Sequence, residues 1–442
     1  MEVLTQQLKK YKNKINNSPP PLSVEGKVSK VIGLIIEASL PDGTMGELCK
    51  IRTRSGEYIR AEIVGFRNNK VLLMPLDETV GISPGSTVTR SPKPLSIKVG
   101  DQILGRVIDG LGNPIDGKGE IEADQRQPAY NDSPNPMTRK RINEHLTTGI
   151  RTIDGLVTIG RGQRVGLFAG SGVGKSVLLG MIARYTEADI NVIGLIGERG
   201  REVREFIERD LGEEGLKKSV VVVATSDQAA MVRVKAALIT TAIAEYFRNQ
   251  GKSVLLLMDS LTRVAMAQRE IGLAAEEPPT TKGYTPSVFA LLPRLLERAG
   301  TDKNGSITGL YTVLVESDDL DEPISDAARS ILDGHIILSR SLATKGHYPA
   351  IDVLESVSRL RKEIISEEQK KHSQKVLETL ATYREHEDLI NIGAYQEGSN
   401  PKVDTAIQNI DSINQYLQQD INESVNFDTS LQSLKNLAQK IG

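Results

Sequence analysis

One cysteine, Cys49, and no tryptophan occur in this chain of 442 residues. A lone cysteine excludes an internal disulfide framework and any cysteine-rich metal site. It fits a reducing compartment, where such a residue serves as a small buried apolar side chain. Aromatics make up 4% of the chain, too few for a large base-stacking surface. No apolar run approaches the ~18 residues that a membrane span requires. The longest, such as Val254 to Met258, are strand-sized. Residues 1–20 lack the apolar core of a secretory signal, so a cytoplasmic protein is expected. Charge of one sign is also missing: 55 Lys+Arg stand against 57 Asp+Glu, a net of −2. That excludes a strongly basic nucleic-acid binder and an acidic disordered chain. None of the five histidines sits in a metal-ligand spacing, and no internal repeat or low-complexity tract occurs.

What is present is ordinary for a globular protein: 39% hydrophobic and 25% charged residues, in a length that holds about three domains. Residues 1–22 read as a helix and a spacer. Leu4, Leu8, Tyr11 and Ile15 form one apolar face, and Lys9, Lys10, Lys12 and Lys14 line the other side. Pro19, Pro20 and Pro21 then stop the helix. So short a helix is marginal alone and calls for a partner surface. Residues 23–93 carry short β-prone runs around Val28, Ile35, Ile51, Ile63 and Leu73, separated by turn signals such as Asn68-Asn69 and Pro84-Gly85. That spacing predicts a small β-barrel. From 94 to 365 strands and helices alternate. Strands are predicted at Arg164–Ala169, Val192–Gly197, Ser219–Thr225, Ser253–Met258, Ile307–Val315 and Ile336–Leu338. Their unbroken apolar character predicts a sheet with helices on both faces. Residues 366–442 are helical throughout, with apolar faces at Val403, Ala406, Ile407, Ile410 and Leu417, and at Leu431, Leu434, Ala438 and Ile441.

Three strand ends carry chemistry. Ala169-Gly170-Ser171-Gly172-Val173-Gly174-Lys175-Ser176 follows a strand and opens a helix, the context of a phosphate-binding loop. Glycines let successive N–H groups curl around an anion, and the helix N-terminus adds its positive end. Lys175 is placed for the β/γ-phosphates and the Ser176 hydroxyl for Mg²⁺; the loop Gly170 to Ser176 and Val177 behind it form the candidate nucleotide site. The first position is Ala169 where the strict pattern has Gly. Val254 to Met258 ends in Asp259, an acid at the carboxyl edge of a sheet, positioned to hold Mg²⁺ directly or through water, or else to cap the next helix. Val192 to Gly197 ends in Glu198 and Arg199. Glu198 is suited to orient an attacking water, and Arg199 to contact a phosphate or a neighbouring subunit. The competing reading is a solvated charge run, since Arg201, Glu202, Arg204 and Glu205 follow.

Taken together, the phosphate loop, Gly197-Glu198-Arg199, Asp259-Ser260-Leu261-Thr262-Arg263 and Tyr348-Pro349-Ala350-Ile351-Asp352 resemble the catalytic subunits of rotary ATPases. Within that superfamily the chain resembles the type III protein-export ATPases. Ala267-Gln268-Arg269-Glu270-Ile271-Gly272-Leu273 and the stretch Pro278 to Phe289 carry that likeness, closer to the flagellar than to the injectisome branch. It extends over essentially the whole chain, to Leu389–Tyr395. The resemblance implies a multidomain fold: an N-terminal small β-barrel, a central RecA-like α/β P-loop ATPase core and a C-terminal α-helical domain, assembled as a homo-hexamer. It implies Mg²⁺-dependent ATP hydrolysis that energises flagellar protein export. Lys175, Glu198, Arg199 and Asp259 then serve catalysis, and Arg359 matches an arginine finger that acts on the next subunit's ATP. Tyr348 matches the ring that packs on adenine, with Tyr395 as the other wall. Implied partners are a stator-like regulator at the N-terminal helix, an export gate, a central stalk protein and substrate–chaperone complexes, at the cytoplasmic face of the inner membrane. The +3 charge of residues 1–20 admits peripheral membrane binding instead. No nucleic-acid partner is expected. One departure is Glu276, which stands before Glu277-Pro278-Pro279 where the family usually has Gly. Rival readings are an injectisome ATPase, an RNA-translocating hexameric helicase and a non-hydrolysing ring subunit. Residues 23–92 hold only Tyr58 and Phe66 as aromatics, which disfavours the helicase, and Lys175 together with Glu198 disfavours the inert ring.

Overall fold

A computed structural model describes residues 25–91, 94–315 and 319–442. The helix expected around Leu4 to Ile15 lies outside the described residues. The chain divides into two compact units between Pro94 and Leu95.

The first unit is a closed barrel of six strands: β1 (Glu25–Ile32), β2 (Ile35–Ser39), β3 (Leu48–Arg52), β4 (Tyr58–Arg67), β5 (Lys70–Pro75) and β6 (Thr87–Arg90). They are hydrogen-bonded in the order β1-β2-β5-β4-β3-β6, and β6 closes onto β1. Alternate residues point inward, so Val28, Ile36, Ile51, Ile63, Leu73 and Val88 fill the interior. Asn68 and Asn69 both take positive φ, 47° and 62°. This left-handed pair makes the two-residue turn whose twist suits the β4–β5 hairpin. Cys49 is buried in this core, and burial pushes its thiol up to about 12, which leaves it protonated and inert.

The second unit holds β7 (Ser96–Val99), β8 (Val107–Asp109), β9 (Gln125–Pro128), β10 (Arg164–Ala169), β11 (Ile190–Ile196), β12 (Ser219–Ala224), β13 (Ser253–Asp259), β14 (Gly300–Thr301), β15 (Ser306–Leu314), β16 (Gly334–Leu338) and β17 (Ile351–Ser358). β7 pairs with β9. The others form one sheet in the order β17-β16-β10-β15-β13-β11-β12-β8, with β14 branching from β15. Only β14 and β17 run antiparallel. All six predicted strands are present, with ends within two residues of expectation.

The helices are α1 (Lys175–Tyr185), α2 (Ala230–Asn249), α3 (Leu261–Ala274), α4 (Pro286–Leu296), α5 (Glu367–Asn391), α6 (Pro401–Leu417) and α7 (Phe427–Lys440), with shorter turns between them. Strand side chains alternate between two apolar layers. Val254, Leu256 and Met258 of β13 join α2, α3 and α4 on one face. Leu255 and Leu257 join α1 on the other. That double burial is why these strands read as unbroken apolar runs. Val376 of α5, Ile413 of α6 and Leu434 of α7 belong to the same layer as α1, so the helical end packs on the phosphate-loop face. Ile407, Ile410 and Leu431 are only half-buried at its margin.

Glu276, after α3, has φ 64°. The backbone keeps the left-handed shape that glycine adopts freely, and the glutamate takes it at a cost of about 1 kcal/mol.

Candidate active site

The carboxyl ends of β10, β11 and β13 define one edge of the sheet, as the parallel order requires. β10 leads through Gly170–Gly174 into α1. Gly172 and Gly174 take φ 79° and 86°, the conformation that aims consecutive N–H groups into one concavity. Val173 is buried and does not line the cleft, so its side chain anchors the loop. Lys175 is the first residue of α1, and Ser176 and Val177 line the same cleft, which encloses ≈ 1080 Å³.

β11 and β13 are neighbours, with Leu195 opposite Asp259. Glu198 and Asp259 therefore emerge side by side. The Lys175 ammonium donates to Asp259 Oδ1 and lies 3.6 Å from Glu198 Oε1. Thr312, on β15, donates to the same Asp259 oxygen at 2.6 Å. Burial pushes the Glu198 carboxyl up to about 7; Lys175 opposes that rise and Asp259 adds to it. Burial alone would lower the Lys175 ammonium, but Asp259 and Glu198 hold it above the usual lysine range. The alternative role of Asp259 as a helix cap is taken by Ser260, whose Oγ accepts from Arg263 N at 3.3 Å.

The cleft walls are cationic: Lys175, Arg199, Arg263, Arg269, Lys282 and Arg340 face Glu198, Glu202 and Glu322. The Arg263 Nε is buried and unpartnered, a donor suited to an anion. Arg199 is exposed and pairs with Glu202 at 3.4 Å. Sequence reasoning gave no site role to Arg263, Arg269, Lys282, Arg340 or Thr312. Arg263 and Arg269 were open to discovery, since each lies three residues from Met266 along one helix and so neighbours it on the helix surface. Thr312, Lys282 and Arg340 arrive through topology, and no local pattern marks them.

The remaining candidates separate. Tyr348 stands beside the loop without lining the cleft itself: its Cε1 lies 3.3 Å from where a Cβ on Gly174 would stand, and 46% of its surface stays exposed. Tyr395 does not line the cleft; its hydroxyl donates to Asp404 Oδ1 at 2.8 Å, with Asn400 O at 3.0 Å as the other acceptor in reach. Arg359 follows β17, where Ser358 pairs with Gly334 at the start of β16. Its N–H donates to Asp333 O, and its guanidinium to Arg329 O at 3.0 Å. Asp333 also binds Arg164, the first residue of β10. Arg359 thus stands at the opposite edge of the sheet from Gly170, about 20 Å away along β10.

Residues 149–358 match the nucleotide-binding domain of the ATP synthase alpha/beta family, residues 28–92 its beta-barrel domain, and residues 365–436 the T3SS EscN ATPase C-terminal domain. A flagellum-specific ATP synthase of Bacillus subtilis is 55% identical over 93% of this chain and 94% of its own length. A type 3 secretion system ATPase of Xanthomonas euvesicatoria is 51% identical over 93% of each. Among solved structures, the assembled ATPase EscN in complex with its central stalk EscO, from enteropathogenic E. coli, superposes with a TM-score of 0.87 at 43% identity. It covers 93% of this chain and 100% of that one.

Proposed function

The chain belongs to the ATP synthase alpha/beta family and, within it, to the flagellum-specific and type 3 secretion ATPases, and we propose that this ATP-hydrolysing enzyme energises export of flagellar proteins from a homo-hexameric ring. The observation that carries the reading is the convergence of Lys175, Glu198 and Asp259 at one sheet edge beside a glycine loop.

ATP fits the cleft because cations outnumber carboxylates there and one buried guanidinium N–H lacks a partner. Mg²⁺ fits the donors: a Ser176 hydroxyl and an Asp259 carboxylate are hard oxygen ligands, too few for a protein-only cage but suited to an ion that brings phosphate oxygens with it. When bound, the ion supplies charge neutralisation at the phosphates. Lys175 exchanges its contact with Asp259 for the β/γ-phosphates. The amides of Gly170 to Gly174 hold the same oxygens. Glu198 accepts a proton from the attacking water, whose oxygen bonds to the γ-phosphorus as the β,γ-bridging O–P bond breaks and ADP leaves with that electron pair. Arg199 adds positive charge at the rim.

Arg359 completes the site from the neighbouring subunit. Its distance from the loop of its own chain supports this, because no arginine spans ~20 Å, and a ring carries each finger to the next site. Tyr348 is the base-side wall. The family likeness makes Tyr395 the opposing wall, although in this chain its hydroxyl is bound to Asp404 away from the cleft. The stalk seen with EscN supports a central stalk partner for this chain. A stator-like regulator at residues 1–22, an export gate, substrate–chaperone complexes and a position at the cytoplasmic face of the inner membrane follow from the same family. No described helix is long and apolar enough to cross a membrane.

Phosphate release from Mg-ATP by the purified chain tests the chemistry. Loss of flagellar protein export on deletion, restored by the intact gene and not by Lys175→Ala, tests the client. The Xanthomonas likeness favours a second reading, injectisome secretion; deletion that spares flagellar export and stops secretion of virulence proteins would establish it.

A further inference from the structure

Gln419 lies just beyond α6 and is buried, with 6% of its surface exposed. Both protons of its amide are used: Nε2 donates to Gly149 O and to Glu423 O, each at 2.8 Å. Its Oε1 accepts from Arg151 N at 2.8 Å. The residue's own N–H donates to Tyr348 O at 3.0 Å. Two residues on, Ile421 O accepts from the Arg184 guanidinium at 2.8 Å and the Tyr185 hydroxyl at 2.9 Å, the last residues of α1. Arg151 pairs with Glu423. One short turn therefore grips the start of the nucleotide-binding core, the far end of the phosphate-loop helix and the carbonyl of Tyr348.

The ring of Tyr348 rests beside Gly174 and is half open to solvent. Its position is set by its backbone. On one side that backbone is tied through His347 N to Leu342 O; on the other, through Gln419 to Tyr348 O. We propose that Gln419 is a positioning residue for the nucleotide base: it holds the turn that stands the Tyr348 ring over the phosphate loop. The inference rests on the reading of Tyr348 as the base-side wall. A fully satisfied buried amide is suited to this task, because losing any partner leaves a buried donor or acceptor unpaired. Loss of the clamp frees the ring and weakens base stacking, while Lys175 and the loop amides still hold phosphates.

The test is calorimetric titration of the full chain with two probes, Mg-ATP and Mg-tripolyphosphate, in Gln419→Ala, Tyr348→Ala and the double variant. Should Gln419→Ala fail to fold, Gln419→Glu keeps the side chain's length and the acceptor for Arg151, and replaces only the donor amide. Stacking on one ring gives an expected loss of ATP affinity of about tenfold in each single variant. Tripolyphosphate affinity stays unchanged, and the double variant is no weaker than Tyr348→Ala alone. Wild-type ATP affinity in the Gln419 variants overturns the proposal. So does an equal loss for both probes, which marks general loosening, or a full additional loss on top of Tyr348→Ala. Unchanged ATP affinity in Tyr348→Ala itself removes the base-wall reading, and the inference with it.

Discussion

Glu198 is a carboxyl group with two opposed neighbours. Lys175 draws it toward ionisation, whereas burial and Asp259 hold the proton on, and the outcome is a group poised near 7. A base works in its ionised form, so raising pH through about 7 increases the active fraction. The expected kcat/KM for ATP therefore climbs through that range and levels off above it, since this ratio reports the free enzyme. A climb centred near the ordinary carboxylate value would assign the base elsewhere. Glu198→Gln keeps size and hydrogen bonding but not charge. It is expected to bind ATP normally and to lose turnover by ~10²–10⁴-fold, and the step near pH 7 should go with it. Lys175→Ala is the contrast: on the proposed reading it removes the ammonium that meets the phosphates, and it should weaken ATP binding itself. Single-turnover rates and equilibrium titrations separate the two. Glu276 shows the other use of a single residue. A glutamate at φ 64° retains the shape of a glycine turn, so its effect falls on local strain rather than on the path of the chain.

At the scale of elements, what could be read in advance divides by physical cause. β10, β11, β13 and β15 were legible because helices cover both faces and every position is apolar. The phosphate loop was legible because its chemistry is made by backbone within eight consecutive residues. β8 and β14, of three and two residues, carry no period and exist through their partners β12 and β15. The Thr312 contact with Asp259 follows from β15 lying beside β13, a matter of strand order that composition does not encode. The same limit hid Arg106 and Asp116, which fix the edge strand β8. Asp116 accepts from Arg106 Nε at 2.7 Å, from its Nη2 at 2.9 Å, from Val107 N at 3.1 Å and from Lys118 N at 3.0 Å. Both side chains are nearly buried. The Arg106 guanidinium, aided by those N–H groups, holds the Asp116 carboxyl well below the usual range. Asp116→Asn should cost about 3 kcal/mol in urea unfolding at neutral pH, because it strands a buried guanidinium. The sign in pH follows from the depressed value: the contribution is complete above the unfolded aspartate's value of about 3.9 and fades as pH falls below it. Wild type and variant should therefore converge in stability toward strongly acid pH, and a gap independent of pH would show that the ion pair is not its source.

Scaled to the whole molecule, the proposed function divides the active site between two edges of one chain that the fold keeps apart. Lys175, Glu198 and Asp259 meet at the carboxyl edge of the sheet, and Arg359 sits by Asp333 at the other edge. The two edges are about 20 Å apart along β10. The proposed ring would resolve this, by setting the Arg359 edge of one subunit against the phosphate-loop edge of the next. Guanidinium suits such a role: it is always charged and binds phosphate oxygens as a fork. Arg359→Ala should leave the chain folded and able to bind ATP while removing turnover by ~10³–10⁵-fold. Folding should hold because Arg359 is exposed and, among the described residues, its guanidinium bonds only Arg329 O, a contact that water can replace. The arrangement also requires complementation. Rings of Arg359→Ala alone, or of Lys175→Ala alone, have a defect at every interface. A mixed ring contains some interfaces where an intact Lys175 faces an intact Arg359, and only those hydrolyse ATP. Combining the two inactive variants under conditions that exchange subunits should therefore restore part of the phosphate release, rising to a maximum at intermediate mixing ratios. Verified mixed rings that stay inactive at every ratio would mean that Arg359 acts within its own subunit or outside the chemistry.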